Sequence, residues 1–168
     1  MRVEEFNALG ADEARAVVRV WADVPGWVDA VVDGRPYADA AELAGAAAEL
    51  AAGWTSADLD SALAQHPRIG EAPRGEGAGA AASRSEQAAM ADAAETVAEA
   101  VALGNRAYEE RFGRVFLIRA AGRSPEEILA ELGRRLGNDD DAEAREAAGQ
   151  LAEIALLRLR STVTGGPA

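Results

Sequence analysis

Apolar positions along the chain recur at intervals of three and four rather than two, among residues dominated by Ala, Leu, Glu and Arg, and this period predicts helices almost throughout. Asp12 to Trp21 carries the first such stripe, Trp27 to Val32 a short second and Asp39 to Trp54 a third, with a break at Arg35-Pro36-Tyr37. A fourth helix is expected with Ser56 as its N-cap, stopping near His66 because the residue before Pro67 is disfavoured in helical geometry. Residues 70–82 hold four glycines and one proline and read as a loop within the domain. A long helix is predicted from Ser83 towards Gly104, resuming to about Arg111 and giving way at Phe112-Gly113. The run Val115-Phe116-Leu117-Ile118 is short and β-prone, which predicts an extended segment crossing the core. Ser124-Pro125-Glu126-Glu127 opens the next helix, ending near Gly137, with serine at N-cap, proline at N1 and glutamate at N3. Asn138-Asp139-Asp140-Asp141 caps the last, Ala142 to Thr162. The expected fold is all-α, a single-domain bundle of about seven to nine helices over residues 1–162, with 163–168 as a flexible C-terminal tail.

Composition narrows the function. A chain of 168 residues, 49% of them hydrophobic, suits one domain with a substantial core. Its net charge of -12 opposes nucleic acid and anionic membrane surfaces as partners, since both repel it at long range. All 17 basic residues are arginine, a compositional habit for most of them, although arginine also suits planar anions. The absence of cysteine excludes disulfides, thiolate metal sites and cysteine nucleophiles. One histidine and no Glu-x-x-His pattern leave no metal site expected, and no Gly-x-Ser-x-Gly elbow supports a serine triad. The glycines of 70–82 follow no strand and do not form a phosphate cradle. With no signal-like N-terminus and no spanning apolar run, a cytoplasmic protein is expected.

Three features carry candidate chemistry. His66 is the single imidazole, placed at a helix exit, and only histidine exchanges a proton near neutral pH without a shifted pKa. Ser83 and Glu86 have capping-box spacing, which by itself accounts for both residue types without any function. The same helix start would also offer unpaired N–H groups to an anion and bring Glu86 near the His66 loop. Arg158 falls on the stripe Leu151, Ile154, Ala155, whereas Arg160 points elsewhere. A salt bridge or a stem snorkelling to water explains such an arginine, as does a substrate anion held in a pocket. Trp21, Trp27 and Trp54 read as core or interface anchors.

Taken in order, these residues resemble the 2-oxo-4-hydroxy-4-carboxy-5-ureidoimidazoline (OHCU) decarboxylases of urate degradation. The resemblance runs through Phe6-Asn7, Trp27, Arg35-Pro36-Tyr37 and His66-Pro67-Arg68-Ile69-Gly70, then Ser83-x-x-Glu86-Gln87, Tyr108, Phe112-Gly113 and Phe116. It continues through Gly122-Arg123-Ser124 and Arg135-Leu136-x-Asn138 to Ile154-x-x-x-Arg158-Leu159. Each motif alone is weak, and together in this order they are specific. The resemblance implies an all-α homodimer that needs no cofactor and acts on a small ureidoimidazoline. It makes His66 the catalytic acid/base, Glu86 its carboxylate partner and Arg158 the anchoring cation. Pro67, Ser83, Gln87 and the stretch Ile118, Arg119, Ala120, Ala121 and Gly122 are then the pocket lining. One departure is Glu153, where the family often carries a basic residue, at a position off the pocket stripe. Two other classes compete: a helical dimerisation module without activity, and a cofactor-free hydrolase of a related ureide.

Overall fold

In the computed structural model, which describes residues 1–63, 68–70, 90 and 93–164, the described chain forms eight helices. They are α1 (Val3–Ala8), α2 (Ala11–Trp21), α3 (Pro25–Asp33), α4 (Ala40–Ala51), α5 (Ser56–Leu63), α6 (Glu95–Phe112), α7 (Pro125–Arg135) and α8 (Asp140–Thr162). The only β pairing among the described residues is an isolated bridge between Arg2 and Thr164. The all-α class follows as the periodicity predicts, and none of these helices is long and apolar enough to cross a membrane.

Where the helices differ from expectation, longer-range contacts decide. The six-residue α1 is too short to show a stripe, yet it buries Val3 and Phe6. Its last carbonyls are collected by Arg35, whose Nη1 donates to Phe6 O at 3.1 Å and Leu9 O at 2.8 Å. Asn7 and the Tyr37 backbone exchange two further bonds of 2.8 and 3.0 Å. Phe6-Asn7 and Arg35-Pro36-Tyr37, far apart in sequence, thus form one structural joint. Helix α4 stops at Ala51 rather than Trp54, and the Trp54 ring turns edge-on to Trp27 at 5.5 Å. The N-cap of α5 is Thr55, not Ser56: its Oγ1 accepts from Asp58 N at 3.2 Å while Asp58 Oδ2 accepts from Thr55 N at 2.9 Å.

The long helix predicted from Ser83 is not continuous. Ala93 and Ala94 lie outside any helix and α6 begins at Glu95. Conversely, α6 runs unbroken through Gly104, where a pause was expected. The glycine serves close packing: a Cβ at this position would stand 2.5 Å from Leu132 Cδ2 on α7. Leu132 is itself 1% exposed and has little room to yield. Gly104→Ala is therefore expected to lower stability by about 1–3 kcal/mol in chemical denaturation, overpacking outweighing the gain of about 1 kcal/mol in helix propensity. Helix α7 starts as read, Ser124 Oγ accepting from Glu127 N at 3.2 Å and Glu127 Oε2 from Ser124 N at 2.7 Å. Asp139 Oδ1 caps α8 by accepting from Ala142 N at 2.7 Å.

Among the described residues the buried side chains form two clusters. One gathers α1 to α5 and α8 around Phe6, Trp21, Leu43, Leu59, Leu151 and Leu159. The other joins α6 and α7 through Val101, Tyr108, Ile128 and Leu132, with Ile69 and Met90. Residues 115–120, which have no regular secondary structure, run between them as an extended segment. Val115 and Leu117 face the first cluster while Phe116, Ile118 and Ala120 face the second, the two-residue alternation of an extended chain. The segment was expected to cross the core; it also divides it. At the end of the last described stretch Val163 is buried and Thr164 N donates to Met1 O at 3.0 Å.

Candidate active site

A buried polar joint fixes the dividing segment. Arg135 on α7 and Glu143 on α8 are each 1% exposed and paired, Arg135 Nε donating to Glu143 Oε1 at 2.9 Å. The Tyr108 hydroxyl donates to the same carboxylate, and Asn138 Nδ2 donates to Glu143 Oε2 at 2.8 Å. Arg135 Nη1 donates to Leu117 O at 2.7 Å, with its guanidinium stacked 4.7 Å from the Phe116 ring centre. Burial, and then the bond to Glu143, push the Tyr108 phenol well above its usual pKa. Tyr108, Phe116, Arg135 and Asn138, all among the family-like motifs, meet here as a structural joint. Glu143, its centre, follows the Asn138-Asp139-Asp140-Asp141 cap by two residues and carries no sequence signal that sets it apart from the other carboxylates of α8.

Beyond Leu117 the chain enters the predicted pocket lining. Ile118 and Ala120 are buried, Arg119 is half-buried, and Ala121 and Gly122 are exposed in a turn closed by Arg123 N donating to Ala120 O at 3.0 Å. Gly122 has φ +81°, a left-handed conformation for which glycine is suited. Helix α8 holds this stretch from the side: Arg119 N donates to Gln150 Oε1 at 2.8 Å and Arg119 Nε to Glu153 Oε2 at 2.7 Å. Glu153, the departure from the family pattern, thus has a partner on the lining segment. Gln150 was missed because a lone glutamine on a helix carries no sequence signal.

Arg158 sits lower on the same helix, roughly two turns or about 12 Å from Gln150. As the stripe predicts, Leu151, Ile154 and Ala155 are buried with it, Arg158 is 8% exposed, and Arg160 is exposed. Its Nη1 donates to Val20 O at 3.0 Å, near the end of α2, among other contacts. Ser161 and Thr162 hydroxyls donate to its carbonyl at 2.8 and 2.6 Å, supplementing the last turn of α8. One helix therefore carries both Arg158 and the props of the 118–122 stretch, at separate levels. His66, Pro67, Ser83, Glu86 and Gln87 lie outside the described residues.

The chain just after His66 is described, and α6 grips it. Arg68 forms a two-bond pair with Glu109, Nε to Oε1 at 2.5 Å and Nη2 to Oε2 at 2.7 Å. The bond from Arg68 holds the Glu109 carboxyl below the usual carboxylate range, so the pair stays charged at neutral pH and is lost only as acid takes the pH through that lowered pKa. Asn105, 3% exposed, donates from Nδ2 to Ile69 O at 3.1 Å, and among the described residues its Oδ1 is buried without a hydrogen-bond partner. Ile69, Gly70, Met90, Val101, Asn105 and Arg106 line a cavity of about 250 Å³ between this segment and α6. That is just under the roughly 300–1,000 Å³ typical of small-molecule sites. An asparagine one turn after Val101 on the apolar stripe is the sequence signal for this contact.

The comparisons with known proteins now bear on these residues. Residues 7–160 match the model of a family described as OHCU decarboxylase. The chain is 30% identical over 166 residues to a 2-oxo-4-hydroxy-4-carboxy-5-ureidoimidazoline decarboxylase of Amia calva, covering 97% of this chain and 95% of the relative. Its fold is similar, at TM-score 0.73 and 24% identity, to a crystal structure of OHCU decarboxylase in the presence of (S)-allantoin, over 86% of this chain and 94% of that one. It is equally similar, at TM-score 0.73 and 17% identity, to a crystal structure of (S)-allantoin synthase, covering 98% of this chain and 54% of the longer one. These structural likenesses establish the helical architecture, and the sequence matches go further. Spanning nearly every element described above, they show that the chain belongs to the OHCU decarboxylase family.

Proposed function

We propose that His66, Glu86 and Arg158 divide the work of a carboxy-lyase that takes CO2 from 2-oxo-4-hydroxy-4-carboxy-5-ureidoimidazoline and yields (S)-allantoin. The substrate name defines the chemistry. The carboxylate leaves a ring carbon that also bears a hydroxyl and adjoins a C=N carbon carrying the ureido group. As the C–CO2 bond breaks, its electron pair forms a C=C bond and the ring nitrogen takes up the displaced pair with a proton. The hydroxyl then collapses to a carbonyl, releasing its proton, while the ureido-bearing carbon accepts a proton on one face. The substrate supplies its own electron sink, the part that a cofactor plays in many decarboxylations.

What remains for the protein is orientation and proton transfer. His66 takes the hydroxyl proton and delivers one to the ring carbon, with Glu86 holding the imidazole tautomer or stabilising its charged form. Arg158 anchors the substrate as a planar double donor. Pro67, Ser83, Gln87 and the backbone of Ile118, Arg119, Ala120, Ala121 and Gly122 line the pocket. The observation that carries this reading is Arg158, a guanidinium set among the apolar positions of α8 and almost wholly withdrawn from solvent. A homodimer working in the cytoplasm without a cofactor completes the proposal.

Arg158 gives a direct test. Arg158→Lys keeps the charge but not the two parallel donors, and kcat/KM is expected to fall at least tenfold. Full retention of kcat/KM would remove Arg158 from the pocket. Circular dichroism following freshly oxidised urate tests the activity itself: a decarboxylase speeds the appearance of optically active allantoin, whereas a hydrolase of another ureide or an inert helical module does not. Sedimentation at several protein concentrations tests the dimer.

A further inference from the structure

We propose that Asn105 and Glu109, one turn apart on α6, are positioning residues that hold the chain immediately after His66 and so set where its imidazole works. The inference rests on the reading of His66 as the acid/base and adds two residues that this reading does not otherwise use.

Two contacts reach across the fold to adjacent residues. Glu109 takes the Arg68 guanidinium with both oxygens, and Asn105 takes the Ile69 carbonyl. Residues four apart on a helix share a face, so one edge of α6 holds both. A bidentate pair fixes direction as well as distance. Between His66 and Arg68 the chain is two residues long, a reach of at most about 7 Å. Anchoring Arg68 and Ile69 therefore restricts the backbone from which His66 projects.

The oxygen of Asn105, without a donor among the described residues, separates this role from mere packing. A buried amide oxygen without a donor costs stability. Leucine, of similar size, would fill the stripe between Val101 and Tyr108 without that cost. What asparagine does there that leucine cannot is donate to the Ile69 carbonyl. Neither Asn105 nor Glu109 is assigned a substrate contact, so the effect of losing the grip falls on turnover. A displacement of about 1 Å in a reacting group can cost as much as 10²-fold in rate.

Asn105→Leu and Glu109→Ala are each expected to lower kcat by about 10- to 100-fold with KM within about twofold of the parent. Asn105→Leu should melt within a few degrees of the parent, because relief of the partnerless Asn105 oxygen offsets the Ile69 carbonyl left without its donor. The exchange Arg68→Glu with Glu109→Arg, which rebuilds the pair in reverse, should recover most of the kcat lost by either half alone. Parental kcat in both Asn105→Leu and Glu109→Ala would overturn the proposal, as would losses that only track the folded fraction. Should Asn105→Leu fail to fold, Glu109→Ala decides together with the exchange, its side chain being 26% exposed. His66→Asn in the same assay separates the two levels. Normal turnover in that variant sinks the acid/base reading and this inference with it; loss there beside parental kcat in the α6 variants sinks this inference alone.

Discussion

His66→Asn is expected to give a folded protein whose decarboxylation is slower by on the order of 10²–10⁴-fold, the usual cost of removing a positioned general acid/base. Asparagine keeps a polar side chain of comparable reach while losing the ability to exchange a proton near neutral pH. In heavy water the parent should place deuterium on the ring carbon bearing the ureido group and form one enantiomer. The variant should leave only the slow spontaneous route, which gives a racemate. A near-normal rate with retained handedness would defeat the mechanism, because the chain has no second histidine to take over.

Glu143→Ala should produce the largest loss of stability without touching the proposed chemistry. Arg135 and Glu143 are each 1% exposed, so truncating the acid leaves a buried guanidinium without its counter-charge and removes the acceptor of Tyr108 and Asn138. Breaking a buried pair from one side costs about 3–5 kcal/mol. In a protein of this size that lowers Tm by roughly 6–20 °C. Replacing both partners by apolar residues, Arg135→Met with Glu143→Leu, should recover most of the loss, since the pair's Coulombic gain largely offsets its own desolvation. Thermal melts of the three proteins decide. A cost below about 1 kcal/mol for Glu143→Ala would mean that the joint between the two clusters is not dry.

The candidate site was legible to different depths. Arg158 could be found from the sequence because burial on a long helix follows the heptad-like spacing of its neighbours, and Leu151, Ile154 and Ala155 are buried beside it. How the stretch 118–122 is held could not be read: nothing local announces that Gln150 accepts from Arg119 N, a contact spanning 31 residues. Glu109 and Asn105 were passed over because each looks ordinary on a helix. Their meaning lies in Arg68 and Ile69, 41 and 36 residues away.

By itself the sequence determined what depends on neighbours along the chain. The helical period, the Ser124 and Asp139 caps and the extended run at 115–118 are set by interactions within a few residues, so they can be read in order. Only the tertiary structure decided the rest. Helix α1 exists because Arg35 and Tyr37 meet its end, and Gly104 sits inside a helix because Leu132 presses on it. Phe116 and Leu117 part to two cores because helices stand on both sides. Glu143 changed from a charge at a helix start into the centre of a buried joint once folding brought Tyr108 and Arg135 to it. Burial decides whether a charge is solvated or structural, and burial belongs to the assembled chain.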